Sequence, residues 1–95
     1  MNSDALALAR RLAELDQKET AQQAYTLVLQ QSDGSDPAAE MEAASYIFFS
    51  EGEYQTAYTT FVSLYNRGYY QAELMDLMMQ AFYPVSYTHL RAHET

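Results

Sequence analysis

The chain has 95 residues, with thirteen Asp and Glu against five Lys and Arg and a formal charge of −8. It is the size of one small domain. Its acidity argues against nucleic acid, because displacing counterions from phosphates takes clustered Lys and Arg, and equally against an anionic membrane surface. Without cysteine there is no disulfide framework. The start, MNSDALALARRLAELD, lacks a basic segment followed by a long apolar run, so a cytoplasmic protein without a membrane anchor is expected.

With only three Gly and two Pro, helix is expected throughout. The first helix is predicted over Ser3 to Leu15. There Ala5, Leu8, Ala9, Leu12 and Leu15 recur at three- and four-residue spacing and would share a buried face. Asn2 or Ser3 can cap it. The second is predicted over Glu19 to Gln31, with Asp16 and Glu19 approximating a capping box. Its inward stripe is Ala21, Tyr25, Val28 and Leu29, with Ala24 at the crossing. Ser32 to Asp36 reads as a loop in which Gly34 permits positive φ.

Asp36-Pro37 opens a third helix, predicted to Ser50, with Met41, Ala44, Ser45 and Phe48 inward. Gly52 supplies a turn. The fourth helix is predicted over Glu53 to Asn66, with Ala57, Phe61 and Leu64 inward, and Gly68 ends it in a left-handed conformation. The fifth is predicted over Gln71 to Tyr83, with Met75, Met78, Met79 and Phe82 on its inner face, and Met75, Met78 or Met79 expected to stay exposed where a following helix would pack. Tyr65, Tyr69, Tyr70 and Tyr83 read as one aromatic cluster. Glu40, Glu42, Glu51 and Glu53 read as solvated helix faces.

The segment Val85 to Thr95, VSYTHLRAHET, resembles the translation of a common tagmentation sequencing adapter, and Pro84 borders it. Residues 84–95 are therefore expected to be a non-native tail that adds little to the fold, and the natural chain is expected to continue differently after Tyr83. Both histidines, His89 and His93, lie in this segment. Their four-residue spacing would otherwise suit a metal pair on a helix. With the tail set aside the chain has neither His nor Cys, so metal ligation by soft donors and Cys–His or Ser–His nucleophilic chemistry lack their residues.

Two stretches repeat. Asp16 to Leu29, DQKETAQQAYTLVL, overlays Gly52 to Tyr65, GEYQTAYTTFVSLY, with Ala21 on Ala57, Tyr25 on Phe61 and Val28 on Leu64 at an offset of 36 residues. A fixed period of this length marks stacked helical repeats. The series Met41, Ala44-Ser45, Phe48, Gly52-Glu53-Tyr54, Ala57 and Phe61 resembles the tetratricopeptide repeat. A weaker copy runs through Ala5, Leu8-Ala9, Leu12, Asp16-Gln17-Lys18, Ala21 and Tyr25. Trp is absent from the large-residue slot, and Lys18 replaces the aromatic residue of the turn.

The resemblance implies an all-α, right-handed α-α superhelix of two helical hairpins plus one further helix. Its repeats would span about 3–36 and 37–70, with a partial third over 71–83. It also implies a concave surface lined by the first helix of each hairpin, at Ser3, Leu6, Arg10 and Ala13, then Ala39, Glu42, Tyr46 and Phe49. Of these, Leu6, Arg10, Glu42, Tyr46 and Phe49 are the candidate partner-binding residues. The implied function is a protein–protein interaction or scaffold module that holds a peptide or protein segment, without cofactor, metal or catalytic residues. The alternative is the N-terminal repeat region of a larger bacterial enzyme, such as a glycosyltransferase, a methyltransferase or a signalling protein.

Overall fold

The computed structural model describes residues 3–94, with side chains described over 4–87. Five α-helices follow one another: α1 Ser3–Glu14, α2 Lys18–Gln31, α3 Pro37–Phe49, α4 Tyr54–Asn66 and α5 Ala72–Glu94. There is no strand among the described residues. Asp36 caps α3 by accepting the Ala39 N–H at 3.2 Å, with Pro37 in the first turn. The expected cap of α1 by Asn2 or Ser3 lies outside the described side chains.

Three helix ends share one device. At the end of α4, Gly68 takes a φ of 88°, its N–H reaches the Tyr65 carbonyl and the Tyr69 N–H reaches that of Leu64. This paired closure satisfies carbonyls that the helix leaves open. The end of α1 repeats it with Asp16 (φ 59°) in the left-handed position and the Gln17 N–H on the Leu12 carbonyl. The end of α3 repeats it with Glu51 (φ 62°) and the Gly52 N–H on the Ile47 carbonyl at 2.7 Å. Asp16 therefore terminates α1 instead of capping α2, whose N-cap is Gln17 without a side-chain bond. Gly52 is required by proximity: a Cβ there would lie 3.0 Å from the Ile47 carbonyl oxygen and 3.3 Å from Gln22 Cδ.

These closures correct the register of the repeat. The left-handed residues Asp16 and Glu51 are 35 residues apart, whereas Ala21 and Ala57 are 36 apart and both fully buried. The second turn is one residue longer, so an alignment anchored on α2 and α4 places α1 and α3 one residue out. In α3 the inward residues are Ala39, Glu40, Met41, Ala43, Ala44 and Ile47, while Ser45 and Phe48 are only half-buried. In α1, Leu6 is buried beside Ala5 and Ala9, whereas Leu8 and Leu15 are exposed. In α5, Leu74, Leu77 and Ala81 turn inward, Met75 and Met78 are half-buried, and Met79 and Phe82 face out. The expected stripes of α2 and α4 are found as read: Ala21, Ala24, Tyr25 and Val28 are buried with Leu29 half-buried, and Ala57, Phe61 and Leu64 are buried.

Each helix packs on the next in sequence, and α3 also touches α5. The short dimension of 21 Å matches two helix diameters of about 10 Å. Fully buried alanines (Ala9, Ala21, Ala43, Ala44, Ala57 and Ala81) let the helices approach closely around Phe61, Ile47, Leu64 and Leu74. Gln22 on α2 donates to the carbonyl and the hydroxyl of Ser50, at 3.0 and 2.8 Å, locking α2 to the end of α3.

The fifth helix continues beyond the predicted end at Tyr83. It passes Pro84 and reaches Glu94, although proline removes one hydrogen bond there. Val85 and Ser86 are half-buried, and Tyr87 stacks on Tyr83 with ring centroids 5.8 Å apart, so the beginning of the tail does make contacts. The side chains of His89, Leu90 and His93 lie outside the described residues. No described helix is long and apolar enough to cross a membrane.

Candidate functional site

The clearest polar assembly joins α1, α2 and α3. Arg10 on α1 lays two donors on the Glu42 carboxylate of α3, Nε to Oε2 at 2.8 Å and Nη2 to Oε1 at 2.7 Å. This fork-on-carboxylate pair fixes orientation as well as charge. The Tyr25 hydroxyl of α2 donates to Glu42 Oε2 at 3.2 Å, and the Tyr25 ring lies 4.9 Å from that of Tyr46. Arg10 holds the Glu42 carboxyl below the usual range, mainly through the hydrogen bond. Burial, reinforced by the Glu42 charge, pushes the Tyr25 phenol up to about 12.

Glu42 also borders an open groove of about 380 Å³ between α3 and the start of α5. Its α3 wall is Ala38, Met41, Glu42 and Ser45, one stripe at three- and four-residue spacing. Its other wall is Tyr69 from the α4–α5 turn and Glu73 from the first turn of α5. The α3 wall is mixed: the Met41 side chain is apolar, and the Ser45 hydroxyl is turned back onto the Met41 carbonyl at 2.7 Å.

The five candidate residues divide. Arg10, Glu42 and Tyr46 are brought together, with Arg10 more than half exposed, Glu42 a third exposed and Tyr46 half-buried. Phe49 is 63% exposed. It shares the Glu42–Tyr46 face of α3 by spacing, and its ring meets the edge of Phe48 at 5.1 Å. Leu6 is buried at 7% exposure and belongs to the core. The sequence reading missed Tyr69 and Glu73 as groove residues. It placed Tyr69 in an aromatic cluster that is in fact divided, since Tyr65 pairs with Tyr70 and Tyr83 with Tyr87.

Two other features depart from expectation. Glu40 is buried, not solvated, with Oε1 at 2.8 Å from Arg67 Nη2 and Oε2 accepting from the Ser32 hydroxyl at 2.9 Å. Among the described residues no buried side-chain nitrogen or oxygen lacks a partner. On the α2–α4 side, Thr26, Gln30, Gln55, Thr56, Thr59 and Thr60 border a second open groove of about 330 Å³. Compared with family models, curated proteins and solved structures, the chain matches none of them.

Proposed function

We propose that this protein is a tetratricopeptide-like helical stack that binds a peptide or protein segment along the face formed by α1, α3 and α5. The observation that carries the reading is the continuity of that face. Arg10 bridges α1 to α3 through Glu42, and the groove beside Glu42 extends to Tyr69 and Glu73 at α5. The exposed Phe49 and the half-buried Tyr46 share one face of α3 with Glu42. Exposed or half-exposed aromatic rings beside fixed polar groups are the composition of peptide-binding surfaces. Helices that pack mainly on their neighbours in sequence support the stacked-repeat part of the proposal.

The test is a displayed random-peptide selection on the intact chain, followed by the double change Tyr46→Ala and Phe49→Ala. Selected peptides should lose binding to the double variant while its far-ultraviolet circular dichroism stays nearly the same. Undiminished binding would move the site elsewhere. Parallel loss of helicity and binding would make the two rings part of the core.

A further inference from the structure

On the premise that the α1–α3–α5 face is the binding face, we infer that the groove between Glu42 and Glu73 takes an Arg or Lys side chain of a basic peptide segment. Two acidic residues line the groove, Glu42 from α3 and Glu73 from α5. The same walls carry the apolar Met41 beside Glu42 and the aromatic Tyr69 beside Glu73. That combination suits a long cationic side chain, whose stem covers apolar surface while its head meets carboxylates and an aromatic face.

An acidic segment fits poorly. Three of the chain's cations are already engaged: Arg10 with Glu42, Arg11 with Glu14 and Arg67 with Glu40. The two helix starts near the groove, which would otherwise attract an anion, carry their own acidic side chains. Asp36 caps α3, and Glu73 sits in the first turn of α5. The formal charge of −8 adds long-range attraction for a basic partner and repulsion for an acidic one.

Glu42 is suited to a fixed role in this contact. Arg10 bonds both oxygens of its carboxylate and Tyr25 adds a bond to Oε2, so a guest meets Glu42 as a fixed, already paired acceptor. Glu73 is exposed and, among the described residues, has no ion-pair partner. Recognition therefore divides between a positioned carboxylate and an exposed one, and Glu73 is the residue to change, because an exposed side chain can be replaced with little effect on packing.

The test uses fluorescence anisotropy with a labelled Ala-Arg repeat peptide, and Ala-Gln and Ala-Glu repeats of equal length. The Arg peptide should bind the full chain best, and more weakly as salt rises. Glu73→Gln should weaken it roughly three- to fivefold, the effect of one partly screened ion pair. Glu53→Gln, in a groove on the α2 side, should leave it unchanged. Equal losses in both variants would show diffuse attraction to an acidic protein and overturn the inference. Preference for the Gln or Glu peptide, still sensitive to Tyr46→Ala and Phe49→Ala, would also overturn it while leaving the peptide-binding reading standing. No binding of any repeat, with the same double change harmless to peptides selected at random, would remove both.

Discussion

Arg67, at the C-cap of α4, reaches back to α3 and sets its Nη2 2.8 Å from Oε1 of Glu40. The two partners are unequal. The Glu40 side chain is only 10% exposed, whereas that of Arg67 is 38% exposed. The second Glu40 oxygen takes the Ser32 hydroxyl, so one carboxylate ties the α2–α3 connection, the first turn of α3 and the end of α4 together. Arg67 also lies against Gly34, where a Cβ would come within 3.1 Å of Nη1.

Removing Arg67 should thus be worse than removing a surface ion pair. Arg67→Ala leaves a nearly buried carboxylate with only a hydroxyl, and we expect a loss of about 1–3 kcal/mol in urea unfolding. Glu40→Gln in the Arg67→Ala background should recover part of that loss, because the uncompensated charge goes with it. An Arg67→Ala chain as stable as the parent would show the pair to be solvent-screened.

Glu51 occupies a left-handed conformation that its side chain disfavours. Glu51→Gly should stabilise the protein by about 0.5–1 kcal/mol, the relief of a Cβ clash less the added freedom of the unfolded chain. Asp16→Gly should gain less, since short polar side chains tolerate this region better. Thermal melts of the two variants give the comparison. A lower melting temperature for Glu51→Gly would mean the carboxylate holds an interaction that outweighs the strain.

At the α3–α4 crossing, Ala57 is fully buried and Phe61 is among the largest fully buried side chains. Ala57→Leu should overpack the crossing and destabilise by about 1–3 kcal/mol, and Phe61→Ala should open a cavity and cost about 3–5 kcal/mol. Thr59→Leu, on the exposed side of the same helix, should be nearly neutral. Denaturant midpoints that rank the three differently would contradict the burial of α4.

The Arg10–Glu42–Tyr25 group makes stability depend on pH at both extremes. The Glu42 pKa is depressed on folding, so its contribution is present above the unfolded value near 4.5. It is lost as pH falls through the lower folded value. Glu42→Gln should flatten that acid limb. The Tyr25 pKa is raised from 10.0 to about 12, so its contribution is complete below pH 10 and lost as pH rises towards 12. In an ultraviolet titration of the folded protein, Tyr25→Phe should remove a phenol that ionises at about pH 12. A Tyr25→Phe titration identical to the parent would disprove the coupling.

How much of this was legible in the sequence depended on the helix. The stripes of α2 and α4 could be read because Ala21, Tyr25 and Val28, and Ala57, Phe61 and Leu64, stand among Gln, Thr and Ser residues that mark most of the other faces. The third helix, PAAEMEAASYIFF, carries apolar residues on every side, so its period marks a helix without saying which face is buried. The turns were misplaced for a related reason. Glycine signals a left-handed residue and correctly located Gly68, but Asp16 and Glu51 hold that conformation without the signal. The one-residue difference in turn length then shifted the reading of α1 and α3.

Composition and periodicity thus determined five helices, their order and the burial of the second helix in each pair, because these follow from local spacing and backbone preference. Only the tertiary structure decided the partners: Glu42 for Arg10 and Tyr25, Glu40 for Arg67, and Tyr69 and Glu73 for the groove wall. Such contacts join residues far apart in the chain and depend on helix rotation and stacking, and a single residue moves a helical side chain by about 100°. That rotation turned Leu6 into the core and Leu8 and Phe82 out of it.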